Sequence, residues 1–133
     1  MNYLERLRPL GLAVLRLVLG AIMIAHGYPK VFGGMHHFVE TVRGIHLPGW
    51  MAYLAAAAEF GGGILVIAGF LTRFVAFCIC IDMCVAIFGV HLKNGFTGQG
   101  NYQFPLALAA MAFLLIFTGP GSISIDGARG KAR

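Results

Sequence analysis

Residues 51–71 read MAYLAAAAEFGGGILVIAGFL, 21 residues with one charge, Glu59. A helix rises about 1.5 Å per residue, so this run is about 30 Å long, matching the hydrocarbon layer of a bilayer. It could be the core helix of a soluble protein only if the rest of the chain covered it with polar surface. Of the 133 residues, 59% are hydrophobic and 11% charged, against about 25% charged in a typical soluble domain. A chain this short has too much surface to cover with so few charges. The run reads as a membrane span.

Working outward, Phe74 to Val90 is a second such run, with Asp82 its one charge, reached through a tight turn holding Arg73. Another covers residues 102–118, with Tyr102 at its entrance, Pro105 in its first turn and Thr118-Gly119-Pro120-Gly121 as its stop. Toward the N-terminus, residues 9–32 form a further run, interrupted by Arg16 and His26. After it, Met35, Phe38, Val39, Val42 and Ile45 recur at helical spacing, with His36, His37, Glu40 and Arg43 opposite. That is a short amphipathic helix over 35–45 lying in the membrane interface, ended by Leu47-Pro48-Gly49-Trp50. The expected fold is an all-α integral membrane protein: a four-transmembrane-helix bundle with a short amphipathic interfacial helix after the first span, one membrane domain over 1–133.

Charge supplies the orientation. Arg6, Arg8, Arg73, Arg129, Lys131 and Arg133 fall on one side, Lys30, Arg43 and Lys93 on the other. By the positive-inside rule both termini are cytoplasmic, in a bacterial inner (plasma) membrane. This accounts for the net charge of +5. No Lys/Arg run with interleaved aromatics is present, so nucleic acid is not an expected partner. The first span ends at Ala25-His26-Gly27-Tyr28-Pro29 without a small-x-small cleavage site and reads as a retained signal anchor. Cys78, Cys80 and Cys84, an odd set within one span, read as apolar fillers.

Ionisable groups at membrane depth are costly and usually pair or line a polar cavity. Arg16 lies about 10 Å into the first span, Asp82 about 12 Å into the third, and Glu59 about 18 Å from the cytoplasmic end of the second. Small residues flank all three, among them Gly20, Ala55, Gly62 and Gly63, which lets the charged faces turn into the bundle. Arg16, Glu59 and Asp82 are therefore expected to form one buried polar cluster. It would serve either helix packing, with Arg16 snorkelling to the headgroups, or proton uptake and release. His26 and His91 fall at matched height near the outer surface, with Lys30, Asn94 and Gln103 nearby, a set suited to a quinone carbonyl or another polar headgroup. A metal is not expected. His36 and His37 are a weak alternative as copper ligands, since adjacent helix residues do not face one ligand position. Gly61-Gly62-Gly63 lies inside an apolar helix and is no phosphate loop.

Several segments together resemble the DoxX family of small bacterial membrane proteins: Arg16-Leu17-Val18-Leu19-Gly20, His26-Gly27-Tyr28-Pro29-Lys30, Ala58-Glu59-Phe60-Gly61-Gly62, Asn94-Gly95-Phe96 and the close from Tyr102 to Asp126. The resemblance covers roughly residues 10–126. It implies a four-helix membrane bundle tied to quinone or thiol redox chemistry and oxidative-stress defence, DoxD being a membrane subunit of a thiosulfate:quinone oxidoreductase. One departure is Gln103, where the family usually has an acid. The expected function is thus a non-catalytic or catalytic membrane subunit of an oxidoreductase, with quinone the candidate cofactor, a soluble or peripheral redox enzyme as partner, and a second copy of the chain a further one. The alternatives are a small proton-coupled permease using Arg16, Glu59 and Asp82, and a scaffold recruiting redox enzymes.

The orientation is testable with single cysteines in a background lacking the native three. One at Thr41 should react with a membrane-impermeant thiol reagent on intact cells, and one at Asn2 should not; the opposite pattern would invert the topology.

Overall fold

The computed structural model describes residues 2–97 and 99–130. The basic residues Lys131 and Arg133 of the charge count lie outside the described residues. A short helix α1 (Asn2–Arg6) leads into α2 (Arg8–Val31), followed by the amphipathic α3 (Met35–Gly44). Then come α4 (Met51–Ala68), α5 (Thr72–Asn94), α6 (Gln103–Thr118) and one closing turn, α7 (Ile125–Ala128). Among the described residues α2, α4 and α5 are long and apolar enough to cross a membrane. The 16 residues of α6 reach about 24 Å, short of the roughly 30 Å hydrocarbon core.

Successive long helices run antiparallel, α2 packing chiefly on α4 and α5 on α6. The shared core is Leu19, Met23, Val66, Ile79, Ala112 and Leu115. Large apolar side chains such as Leu17, Phe77, Phe88, Phe113 and Phe117 point outward instead, the arrangement that suits lipid as the surrounding solvent.

Glycine sets the α2–α4 contact. A Cβ at Gly20 would lie 2.6 Å from the Gly63 carbonyl oxygen, one at Gly63 would lie 2.7 Å from the Gly20 carbonyl oxygen, and one at Gly27 would lie 2.6 Å from the Phe60 nitrogen. Any side chain there would push the backbones apart, and close backbone approach is how helices gain packing energy in lipid.

The run over 51–71 stops as a helix at Ala68 because Gly69 (φ 72) and Leu71 (φ 53) turn left-handed. The turn is held from the far end of the chain. Asp126 accepts hydrogen bonds from the N–H groups of Leu71 (3.2 Å) and Thr72 (3.1 Å), and its own N–H donates to the Gly69 carbonyl (2.9 Å). A carboxylate at the start of α5 satisfies orphan N–H groups and complements the helix dipole. Arg73 caps the opposite polarity, donating to the Ile116 and Phe117 carbonyls near the end of α6 (both 2.9 Å).

α3 lies across one side, with Val39 and Val42 buried against Ala52, Met51 and Leu47. His36, His37, Glu40 and Arg43 are exposed on its other face.

Gly20→Ala should lower thermal stability in detergent by about 1–3 kcal/mol, the usual range for overpacking. Gly11→Ala, where a Cβ would meet nothing within 4 Å, should be neutral. Equal effects of the two would refute a glycine-set interface.

Candidate functional site

The expected charged cluster separates into two centres. Arg16 is buried at the end of the bundle that holds α7, donating through Nη1 to the Pro120 (2.9 Å) and Ile123 (2.8 Å) carbonyls and through Nη2 to that of Ile67 (3.4 Å). The expectation that Arg16 would pair with Glu59 or Asp82 is corrected. Ile67 is eight residues beyond Glu59 in sequence, about 12 Å along the helix. The guanidinium finds its acceptors in carbonyls at helix ends, where partial negative charge collects.

The partner of Glu59 is Lys30. Its Nζ lies 2.5 Å from Glu59 Oε1, near the opposite end of the bundle from Arg16. The register that sets Gly27 against Phe60 explains the pairing. Lys30 is one turn beyond Gly27 on the same helix face, and Glu59 immediately precedes Phe60. The Phe38 ring of α3 covers the ammonium, with Nζ 4.1 Å from its centroid. Glu59 is 3% exposed and sits in a π-helical stretch of α4, Ala57–Gly61. Such π-turns are rare and recur at functional sites.

Asp82 completes the centre from α5. Its helix packs on the π-turn of Glu59, which puts its carboxyl within electrostatic reach of Glu59 and Lys30. Its Oδ2 is buried without a hydrogen-bond partner. It lines a cavity of about 530 Å³ between α3, α4 and α5, whose walls include Phe38, Val42, Leu54, Gly61, Phe74 and Val85. Among the described lining residues Asp82 is the only charged one, with Cys78 one turn before it. Chemically, this is a largely apolar slot with one charged anchor, Thr41 and Cys78 adding the weaker polar groups of its wall.

The other ligand candidates do not converge. His26, at the exposed side of α2, bonds through Nδ1 to the Ile22 carbonyl (2.9 Å) and stacks on Phe104 with centroids 5.6 Å apart. His91 Nδ1 and Asn94 Nδ2 both donate to the Gly100 carbonyl at 2.9 Å, and Gln103 Nε2 donates to the Phe96 carbonyl at 2.6 Å. The carbonyl acceptor places the neutral His91 proton on Nδ1. Thus His91, Asn94 and Gln103 shape the loop between α5 and α6, and Lys30 belongs to Glu59. Cys78 borders the Asp82 cavity, while Cys80 and Cys84 line a second hollow between α5 and α6. Among the described residues no three His, Cys, Asp or Glu side chains group as a metal site.

A small helical membrane bundle with a buried Lys30–Glu59 ion pair and a neighbouring Asp82 is the class these features define. The chain belongs to the DoxX family, whose profile matches residues 11–92. It is similar to "Putative oxidoreductase CatD" of Bacillus subtilis (strain 168), 35% identical over 117 residues, covering 88% of this chain and 85% of the relative. It is also similar to two proteins of Escherichia coli (strain K12). "Inner membrane protein YqjF" is 32% identical over 127 residues, covering 92% of this chain and 95% of the relative. "Inner membrane protein YphA" is 31% identical over 128 residues, covering 90% of each. No solved structure gives a significant match.

The ion pair predicts a coupled double-mutant cycle. Lys30→Met and Glu59→Gln should each destabilise the bundle, and the double variant by less than their sum. The coupling should be about 1 kcal/mol, at the upper end for polar contacts between membrane helices. Additive losses of stability in detergent would show the two side chains to be energetically independent.

Proposed function

We propose that this protein is the membrane component of a redox system, holding the headgroup of a lipid-soluble quinone in the Asp82 cavity while a soluble or peripheral enzyme supplies electrons. The observation that carries the reading is the unpartnered, buried Oδ2 of Asp82 at the wall of an apolar slot. Two carboxyls, Glu59 and Asp82, face one ammonium, Lys30. Charge balance therefore leaves one proton shared between the two acids, since an uncompensated carboxylate is costly at membrane depth. A protonated carboxyl is a hydrogen-bond donor, and a quinone carbonyl is an acceptor with an apolar tail that suits the slot. When bound, a quinone would supply two-electron, two-proton chemistry. The name of the B. subtilis relative, which describes an oxidoreductase, points the same way.

In this reading α6 is a fourth span, the membrane is a bacterial inner membrane as in the names of the E. coli relatives, and both termini face the cytoplasm. A second copy of the chain is a further candidate partner. The second reading is a proton-coupled permease, favoured by the same two carboxyls sharing one ammonium. Arg16, bound to carbonyls elsewhere, takes no part in it.

Wild-type protein in lipid nanodiscs should bind a short-tailed ubiquinone or menaquinone analogue saturably. Asp82→Leu should weaken binding about tenfold, the value of one hydrogen bond, while Asp82→Asn keeps a donor and most of the affinity. Gly61→Leu should abolish binding without unfolding the bundle, because a Cβ at Gly61 meets nothing within 4 Å and the side chain would fill the slot. Absence of saturable binding by the wild type would remove the quinone reading and leave the permease.

A further inference from the structure

A proton given up by Asp82 must be replaced, and the residues behind Asp82 are graded in exposure. The Lys30 side chain is 25% exposed and that of Glu59 4%, while Asp82 is half-buried at the cavity wall with its Oδ2 shut off from solvent. Nζ of Lys30 touches Oε1 of Glu59, and the π-turn that carries Glu59 packs on the helix that carries Asp82, within electrostatic reach of its carboxyl. The π-turn over Ala57–Gly61 sits at this bridging acid. The Phe38 ring rests on the ammonium and keeps it near Glu59.

We propose that Lys30, Glu59 and Asp82 form a proton path from the loop end of the bundle to the cavity, with Lys30 as its entry and Glu59 as its middle member. The path rests on the quinone reading for its purpose but not for its geometry. After Asp82 has lost its proton, an N–H bond of Lys30 breaks as an O–H bond forms on Glu59. The Glu59 carboxyl passes a proton to Asp82, and water protonates the amine that is left. The net change is one proton taken from the loop side and delivered to the cavity, with the three residues returned to their starting state. From the elements packed around the site, the other groups that could take part are few. On α3, Glu40 pairs with Arg43 on the exposed face (3.2 Å) and Thr41 donates to the His37 carbonyl. On α5, Cys78 lines the cavity. His36 and His37 lie exposed on α3 beside Phe38, and Lys30, the cation in contact with Glu59, is the entry.

The test needs no quinone. Infrared spectra of the protein in nanodiscs should show a protonated-carboxyl band that Asp82→Asn removes, and transfer to D2O should shift it as the proton exchanges. Lys30→Arg keeps the positive charge, and with it the band, but a guanidinium does not give up its proton at any working pH. Exchange should slow by roughly tenfold or more in that variant, a barrier increase of about 1.4 kcal/mol. If the larger guanidinium does not fit, Lys30→Met should slow exchange equally. Wild-type exchange rates in both variants would overturn the path, and absence of the band would overturn the shared proton. Loss of quinone binding alone would overturn only the proposed function.

Discussion

The close approach of α2 and α4 is the constraint on which the rest of the molecule depends. Gly20 and Gly63 bring two backbones together at one level, and Gly27 against Phe60 does the same higher up. With the register fixed at those points, Lys30 can only fall beside Glu59, and Arg16 beside the last turn of α4. One glycine-set interface thus separates the positive charges of the first long helix into two roles. One holds the bundle's closing segment and the other neutralises a buried acid.

The two centres differ in what they can do. Arginine bound to carbonyls has no acid to exchange a proton with directly and remains charged. That fits a structural fastening. Lysine against a carboxylate, with a second carboxyl behind it, is a set whose members can trade protons. The apolar cavity lies on the lysine side of the molecule, with Asp82 in its wall.

Much of this architecture was legible in the sequence. The apolar runs, their single charges and the amphipathic pattern after the first run place the helices to within a few residues of their observed ends. That Glu59 and Asp82 turn their carboxyls into the bundle was legible too, because an acid in such a run is costly on the lipid side. The pairing was not. Height along a helix is readable from residue counts, but which faces meet depends on which small residues make the contact. On height alone Arg16 lay within reach of an acid, whereas Lys30, at the outer end of its span, did not. The Gly27–Phe60 contact decides between them, and its only sequence signal is the seven-residue spacing of Gly20 and Gly27. The partners of the histidines were not legible either: His26 bonds to the Ile22 carbonyl and stacks on Phe104, and His91 is held by the Gly100 carbonyl. The role of Asp126 was hidden because a cap formed 54 residues away from its N–H donor leaves no local pattern.

The cage around Arg16 also bears on how such a chain is assembled. The arginine belongs to the first long helix to leave the ribosome, whereas two of its carbonyl partners lie 104 and 107 residues later. Until those residues are made, its donors need water or headgroups, so the nascent first helix is biased to stay shallow. The segment over 120–126 supplies the carbonyls and, through Asp126, the N-terminal cap of α5. Synthesis of residues 120–126 and final seating of the Arg16 helix thereby become coupled.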